Sequence, residues 1–239
     1  MKNIRNILRE TSHRPVPLPE NYWMYFQEWN NVIFAHWKVN ENSLKKLIPA
    51  GLNLDLFDGE AWISLVAFTL KKLRIHYLPS FSSFSDFHEI NMRTYVVRNN
   101  KSGIYFLSLE IQKTFSALLA GFLTGLNYYK SDIRHGPEYH ESENRKHLFY
   151  LKSEYNKGTD ILAKTDFDKW LTDRFTIFHE LSGEIFSHEI HHRDWPLKTL
   201  TIESFEINYR FMDLLISKDA DLYHYSEGVQ VPTWGKVKA

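Results

Sequence analysis

Two histidines and a glutamate in the last quarter of the chain have the spacing of a zinc hydrolase motif. His188-Glu189-Ile190-His191-His192 reads H-E-x-x-H, which on a helix places two imidazoles on one face to hold zinc, with the glutamate as general base. Residues 183–187 alternate in polarity and Pro196 follows closely, so a strand is expected instead. On a strand, His188 and His192 stand about 13 Å apart, too far for two bonds of about 2 Å to one zinc. We therefore expect no metal site, and a zinc hydrolase is only a remote alternative.

A second set of side chains that can bind or react lies in one predicted strand. Asn91, Arg93 and Tyr95 share a face of this strand because side chains alternate along it. A buried arginine needs an anion, since an unpaired buried charge is costly. The sequence leaves two partners open for Arg93: a ligand carboxylate held by two hydrogen bonds, or an internal acid such as Glu89. All three side chains are candidate ligand-binding residues.

His36 and Glu89 are candidates for acid–base catalysis. His36 lies in an apolar, aromatic segment, where it is either a core histidine with satisfied hydrogen bonds or a general acid or base. Glu89 is either an acid in a pocket or the counter-ion of Arg93. The sequence does not decide between these alternatives.

The segments that position these residues read mostly as strands joined by tight turns. Alternating polarity around Gly, Asn and Asp residues predicts three hairpins. They cover 52–70 with a turn at Asp58-Gly59, 90–109 with a turn at Asn99-Asn100, and 175–186 with a turn at Ser182-Gly183.

Few helices are expected. Apolar residues at helical spacing predict a helix over Thr114–Thr124. Thr165, with Asp168 three residues later, resembles a capping box that opens a short helix through Leu171. A further helix is predicted over Phe205–Leu215, and the polar segment Asp132–Arg145 is expected to be a surface loop.

Composition limits the classes of protein that this chain represents. Its 239 residues fit a single domain spanning 1–239, and the 15% aromatic content favours a β-rich fold. With 29 basic and 29 acidic residues, no net charge attracts nucleic acid or an anionic membrane. The absence of cysteine excludes disulfides and thiolate nucleophiles. No apolar stretch approaches the roughly 20 residues of a membrane span, so a cytoplasmic location is expected. The fold class expected is α+β and mostly antiparallel β, with closure into a barrel.

Sequence blocks along nearly the whole chain carry a family resemblance. In order, they are His13-Arg14-Pro15, Phe34-Ala35-His36-Trp37, Pro49-Ala50-Gly51-Leu52, Phe57-Asp58-Gly59, Phe87 to Val96, Gly103 to Leu109, Leu171 to Arg174 and Trp195-Pro196-Leu197. Together they resemble the YqjF-like proteins, a bacterial group without a settled function that belongs with the acetoacetate decarboxylase-like superfamily. The resemblance implies a β-barrel with a few flanking helices and a pocket in the barrel interior.

The resemblance also places a pair of tyrosines at the reactive position of the superfamily. True decarboxylases carry a lysine pair there, one of which forms a Schiff base with a keto acid. This chain has Tyr128-Tyr129, and tyrosine cannot form an imine, although its hydroxyl donates a hydrogen bond. Tyr128 is therefore a candidate catalytic residue and Tyr129 a candidate ligand-binding residue. Lys130 is one position away and is expected to be a surface lysine.

Two functions follow from these observations, and the sequence does not separate them. The first is an enzyme acting on a small molecule, an oxo acid or another anion, by acid–base groups without an imine or a cofactor. The second is a non-catalytic ligand-binding or sensing protein on the same fold. The expected partner is a small-molecule ligand, and the many aromatic residues suggest a homodimer.

Overall fold

The computed structural model describes residues 2–80, 85–112, 126 and 128–239. Within these residues the helices are α1 (Lys2–Arg9), α2 (Glu41–Lys45) and α3 (Asp166–Thr172). The strands are β1 (Tyr25–Val39), β2 (Asn53–Leu54), β3 (Ala61–Ile75), β4 (Phe87–Arg98), β5 (Lys101–Ile111), β6 (Tyr129–Lys130), β7 (Asp132–Gly136), β8 (Tyr139–Asn144), β9 (Phe149–Asp160), β10 (Thr176–Leu181), β11 (Glu184–Glu189), β12 (Leu197–Phe211), β13 (Leu214–Ile216), β14 (Leu222–Thr233) and β15 (Val237–Lys238). The predicted helix Thr114–Thr124 lies outside the described residues.

The strands form one mostly antiparallel sheet, as the fold class predicted. Their hydrogen-bonded order is β15-β11-β10-β5-β4-β3-β1-β14-β12-β9-β8-β7, with β2 on β4, β6 on β5 and β13 on β12. Two short pairings are parallel, and both involve β5: its start pairs with β10 and its end with β6. Along this order the described strands leave two ends, at β15 and β7, so closure into a barrel is not confirmed. No helix in the described part of the chain is long and apolar enough to cross a membrane.

The sheet is packed on both faces. The first core contains Ile33, Ala35 and Trp37 of β1 together with residues of β3, β4, β7, β9, β12, β13 and β14. The second core takes the alternate positions of β1, including Phe34, and packs them against β10 and the segment around Trp195. A strand buried on both faces reads as a continuous apolar run, which explains the sequence of β1.

Close approach of β5 to β10 depends on Gly103. A Cβ atom at this position would lie 2.5 Å from the Thr176 carbonyl oxygen and 2.8 Å from the Phe178 ring. Any larger residue would push the two strands apart. Gly103 therefore fixes where the β10–β11 hairpin joins the sheet.

Two of the predicted hairpins are confirmed and one is wrong. Residues 90–109 form the β4–β5 hairpin, whose turn residues Asn99 and Asn100 both have positive φ. The β10–β11 hairpin turns at Ser182-Gly183 as predicted. In the 52–70 segment the Asp58-Gly59 turn forms, but Asn53 pairs with Val97 of β4 rather than with β3. The turn signal is local, whereas the partner of β2 is set by a later strand.

The helix predicted over Phe205–Leu215 and the loop predicted over Asp132–Arg145 are also wrong. Residues 197–211 form β12, in which Phe205, Ile207, Tyr209 and Phe211 face the first core at a period of two residues. Residues 132–144 form the β7–β8 hairpin. By contrast, the Thr165/Asp168 capping box that opens α3 is present as predicted.

Candidate functional site

A cavity of about 80 Å³ lies in the second core, between strands β1, β3, β4 and β5 and the β10–β11 hairpin. Most of its wall is apolar or aromatic. The lining residues from β1, β3, β4, β5 and β14 are Tyr25, Gln27, Trp29, Leu70, Leu73, Phe87, Glu89, Phe106, Leu109 and Thr233; those from β10 and β11 are Ile177 and His188; those outside the strands are Leu126, Tyr128 and Ile190. The resemblance implied a pocket inside a barrel, whereas this cavity is on the opposite face of the sheet from the first core.

Glu89 is the acidic group of this cavity. It lies in β4 between Phe68 of β3 and Ile111 of β5, and only 6% of it is exposed. Its Oε1 accepts a hydrogen bond of 3.3 Å from Asn91 Nδ2, and no ion pair joins it to a described cation. Burial raises the pKa of Glu89 to about 7, and the Asn91 hydrogen bond opposes this shift only in part. At neutral pH the carboxyl group is therefore available both as an acid and as a base.

Several buried polar atoms beside Glu89 have no hydrogen-bond partner among the described residues. Trp29 Nε1 and Thr233 Oγ1 belong to side chains that line the cavity, and Asn91 Oδ1 is next to Glu89 on β4. A buried polar atom without a partner costs about 1–3 kcal/mol. A bound molecule with donor and acceptor groups can supply these hydrogen bonds.

Tyr128 and Tyr129 take different positions. Tyr128 lines the cavity and is half-buried. Tyr129 is in β6, where its ring packs 4.2 Å from that of His147, and it borders a separate polar compartment. Lys130 is exposed, as expected for a surface lysine.

Arg93 is on the same face of β4 as Glu89 but does not line the cavity. Its Nη2 donates to the Leu171 carbonyl oxygen at 3.3 Å, and its guanidinium lies 5.8 Å from the centre of the Phe34 ring. Nε has no partner in the described residues, and no described carboxylate forms an ion pair with the guanidinium. Burial lowers the pKa of Arg93, and interaction with Tyr95 opposes this shift. The structure therefore does not join Arg93 to Glu89.

His36 and Tyr95 belong to a buried hydrogen-bonded network at the other end of this face. His36 Nδ1 lies 2.6 Å from Ser64 Oγ, which lies 2.5 Å from Tyr95 Oη. On the other side, His36 Nε2 is 3.1 Å from Nδ1 of His224. Tyr95 also donates to the Leu171 carbonyl oxygen of α3 at 3.1 Å. Both ring nitrogens of His36 are thus partnered.

The network ends at the capping box of α3. His224 Nε2 lies 3.0 Å from Asp168 Oδ1, while Asp168 Oδ2 accepts from the backbone and hydroxyl of Thr165. Burial raises the pKa of Asp168, but the hydrogen bonds from Thr165 and the interaction with His224 outweigh it and leave that pKa lowered. Burial lowers the pKa of His36 far below its usual value, with His224 and Arg93 adding to the effect. The network links α3 to β14, β1, β3 and β4.

The H-E-x-x-H segment begins in a strand and contains no helix, which agrees with the interpretation of its alternating polarity. His188 and Glu189 end β11, and residues 191–196 form no helix. Glu189 accepts from Arg14 at 2.7 Å and from Thr176 at 2.9 Å, and pairs with Lys101 at 2.5 Å. No cluster of three or more potential metal ligands was found within the described ranges. The motif's glutamate therefore anchors the N-terminal segment to the sheet.

Sequence reasoning missed His188, Gln27 and Thr233 as cavity residues. The alternation of β11 was visible, and it places His188 on the same face as Phe186, with Ile177 of β10 directly opposite His188. That face turns to the cavity only because β10 joins β5 in parallel, which no local signal predicts. Gln27 and Thr233 come from β1 and β14, about 200 residues apart in sequence.

Comparisons with known proteins agree with this architecture. The DUF2071 family, described as an uncharacterized conserved protein, matches residues 26–230. The uncharacterized protein YqjF of Bacillus subtilis is 31% identical over 227 residues, which cover 92% of this chain and 94% of YqjF. The enduracididine biosynthesis enzyme MppR complexed with pyruvate has a TM-score of 0.63 at 9% identity, with 94% of this chain and 93% of MppR covered.

Similar solved structures also include MppR complexed with the condensation product of pyruvate and imidazole 4-carboxaldehyde. It has a TM-score of 0.62 at 9% identity and covers 94% of both chains. The acetoacetate decarboxylase of Legionella pneumophila has a TM-score of 0.57 at 14% identity, with 98% of this chain and 95% of that chain covered. At such low identity these likenesses concern the fold, which is acetoacetate decarboxylase-like.

Proposed function

Because the chain belongs to the DUF2071 family of uncharacterized conserved proteins, we propose a function for it from its own cavity: proton transfer at the carbon next to a carbonyl group of a small molecule. Glu89 is the acid–base residue and Tyr128 holds the carbonyl oxygen. The observation that carries the proposal is a buried carboxyl group with a pKa of about 7 in a mostly apolar cavity.

The chemistry assigned to Glu89 follows from its environment. As a carboxylate it removes a proton from the carbon beside the carbonyl, and as a carboxylic acid it returns the proton to carbon. A catalytic group is most effective when its pKa is near the working pH. The tyrosine hydroxyl donates a hydrogen bond to the oxygen on which negative charge develops. No lysine is required for this step, which fits the pair Tyr128-Tyr129 where the resemblance implies the lysine pair of the decarboxylases.

The proposed substrate is small, with an apolar body and a carbonyl group. The apolar wall and the limited volume of the cavity support this class. MppR, a structural neighbour, is complexed with pyruvate and with a condensation product of pyruvate, which supports an oxo acid as one member of the class. The described lining contains no lysine or arginine, so an uncharged ketone fits equally well.

A non-catalytic binding protein is the second candidate function. The loss of the lysine pair supports it. Trp29 Nε1 and Thr233 Oγ1 also support it, because they have no partner among the described residues and a ligand can satisfy them without any reaction. A zinc hydrolase receives no support from the strand at His188-Glu189.

Exchange of carbon-bound protons in deuterium oxide tests the proposal without knowledge of the natural substrate. Pyruvate and methyl isobutyl ketone are incubated with the protein, and loss of the proton signal beside the carbonyl is followed by NMR. We expect exchange above the buffer rate, and a loss of at least about 100-fold in Glu89→Gln, since a positioned acid–base group contributes about that much. Tyr128→Phe should reduce exchange by about tenfold to 100-fold, because one hydrogen bond to the oxygen is lost.

Glu110→Gln is the matched control, since Glu110 is a second buried glutamate in the adjacent strand. Its carboxylate accepts from Ser131 at 2.6 Å and from Tyr209 at 2.7 Å, in the first core. Exchange should survive this change. Wild-type exchange in Glu89→Gln would show that the residue is misassigned. Saturable binding of either compound without exchange would favour the non-catalytic function, and borohydride trapping of pyruvate on Lys130 would contradict the absence of an imine.

We further propose that the sheet closes into a barrel around the first core through β6. Ser131 connects β6, which pairs with β5, to β7 at the end of the sheet, and Ser131 N donates to the Ile111 carbonyl oxygen at 3.1 Å. Slow hydrogen exchange at the Ser131 amide would support closure, and exchange at the rate of an open chain would argue against it.

A single domain over 1–239, a homodimer and a cytoplasmic location stay predictions; light scattering on the purified protein tests the dimer.

A further inference from the structure

A second compartment of about 130 Å³ opens at the edge of β5. On this edge β10 pairs with Ile104 and Tyr105, and β6 pairs with Glu110 and Ile111. Residues 106–109 lie between these two partners and line the compartment. Among the described strands, β6 and β10 therefore leave residues 106–109 of β5 unpaired on this edge.

Two buried side chains of this compartment have polar atoms without partners in the described part of the chain. They are both ring nitrogens of His179, which is 4% exposed, and the hydroxyl of Ser108, which is 3% exposed. The His179 ring stacks on Phe186 and His188, with centroids 5.8 and 5.1 Å away. A phenylalanine would make the same stacks without leaving two nitrogens unsatisfied, which costs about 1–3 kcal/mol for each. The nitrogens thus point to a ligand rather than to packing.

The charges around the compartment favour a group that donates hydrogen bonds. Glu180, Tyr105 and Tyr129 line it, and no lysine or arginine is among its described lining residues. Burial raises the pKa of Tyr105, and Glu180 and Tyr129 add to this effect. Burial, with His188 and Lys236, lowers the pKa of His179 to about 4, so at neutral pH one of its nitrogens is an acceptor. A carboxylate or phosphate would meet Glu180 and no lysine or arginine among these lining residues.

The compartment adjoins the cavity that contains Glu89. Phe106, Leu109 and Leu126 line both spaces, and His188 of the cavity stacks on His179 of the compartment. A molecule that extends past Leu126 would therefore touch apolar surface at one end and reach the compartment lined by His179 at the other.

We propose that this compartment is a second binding subsite, which takes an alcohol or protonated amine group at the far end of the molecule that occupies the cavity. The substrate class is thereby narrowed to small molecules with an apolar body and a terminal hydrogen-bond donor. Only the apolar end of the inference rests on the proposed function; the His179 subsite does not require that Glu89 be catalytic.

Binding of four probes with the same isobutyl body tests the subsite. Isoamyl alcohol, isoamylamine, isovalerate and methyl isobutyl ketone are titrated against the full-length protein, with tryptophan fluorescence as the readout because Trp29 lines the cavity. We expect the alcohol and the amine to bind at least about tenfold more tightly than isovalerate, the value of one good hydrogen bond. His179→Phe, which keeps the ring stacks, should abolish this preference, and Ser108→Ala should reduce it.

Ser153→Ala is the matched control, because Ser153 is a buried serine of β9 that does not line the compartment. It should leave all four affinities unchanged. Absence of saturable binding of both the alcohol and the amine overturns the subsite, as does an unchanged preference in His179→Phe. Methyl isobutyl ketone separates the two proposals: if its binding and proton exchange depend on Glu89 but not on His179, the proposed function stands whatever the alcohol and amine show.

Discussion

Strand β4 carries two polar regions on one face that differ in how their atoms are partnered. Glu89 lies near the start of the strand, in a cavity where neighbouring polar atoms have no protein partner among the described residues. Tyr95, six positions later, ends a network in which Ser64, His36 and His224 are hydrogen-bonded in series to Asp168. Residue type alone does not distinguish the two regions, since both contain buried ionisable groups. The two regions differ in how many of their buried polar atoms have a hydrogen-bond partner within the described residues.

The difference indicates which region is free to bind a ligand. In the network every hydrogen bond links one secondary structure element to another, so its buried polar groups contribute to holding α3 on the sheet. Beside Glu89, burial also removes polar groups from water, but several of their atoms have no compensating hydrogen bond among the described residues. Such uncompensated groups are typical of sites that bind or react. His36 was a catalytic candidate by sequence, and its contacts place it with the structural region.

Breaking the network should have the largest effect on stability. His224→Ala leaves Asp168 Oδ1 and His36 Nε2 without this partner, and each buried polar atom left unsatisfied costs about 1–3 kcal/mol. Urea unfolding at neutral pH measures the loss. His179→Ala is the comparison, since that histidine has no hydrogen bond to lose among the described residues. Equal losses in the two variants would contradict the distinction between the regions.

Replacing Glu89 should increase the free energy of unfolding, whereas breaking the network should decrease it. Burial raises the pKa of Glu89 from 4.5 to about 7, so its contribution to stability is fully present below pH 4.5 and is lost as the pH rises through 7. That difference in pKa corresponds to about 3 kcal/mol at pH 8. Glu89→Gln should therefore stabilise the protein by up to this amount at pH 8 and have little effect at pH 4.

The pH dependence of the network runs the other way. Burial lowers the pKa of His36 and of His224, so these histidines stabilise the fold above their ordinary pKa of about 6.5 and lose that contribution as the pH falls. Between about pH 4.5 and 7 the contribution of Glu89 falls as the pH rises, whereas the contribution of the histidines rises up to about pH 6.5. Glu89→Gln should therefore make the unfolding free energy rise more steeply, or fall less, over this range than in the wild type, and an unchanged slope would contradict the assignment of the raised pKa to Glu89.

The sequence predicted the face of β4 but not its two environments. Period-two alternation places Asn91, Arg93 and Tyr95 together, and the strand and its turn at Asn99-Asn100 are confirmed. The hydrogen-bond partners of Tyr95 are Ser64 and Leu171, which are 31 and 76 residues away in sequence, so no local pattern reveals them. Arg93 illustrates the same limit: of the partners that the sequence left open, Glu89 does not pair with it, and among the described residues it donates to the Leu171 carbonyl oxygen, 78 residues away.

Errors in the secondary structure have the same origin. The 52–70 hairpin failed because Asn53 pairs with Val97, a contact decided by tertiary packing. Residues 205–211 satisfy a helical spacing and a period of two, and the first core selects the strand. The Thr165/Asp168 capping box was predicted correctly because its hydrogen bonds are local.

The smallest and most closely matched test compares two buried serines that are each changed to alanine. Ser64 Oγ contacts both His36 and Tyr95, whereas Ser108 Oγ has no partner in the described residues. Ser64→Ala should cost about 1–3 kcal/mol, because His36 and Tyr95 each lose a buried hydrogen bond. Ser108→Ala should change stability by less than about 0.5 kcal/mol, or increase it, because the same hydroxyl is removed without breaking a bond. Both are measured by urea unfolding at neutral pH.

Since the side-chain volume lost is identical, a difference in this direction isolates hydrogen bonding from packing. A Ser108→Ala variant as destabilised as Ser64→Ala would mean that the Ser108 hydroxyl is already bonded within the protein, and the subsite at the β5 edge would lose one of its two supports.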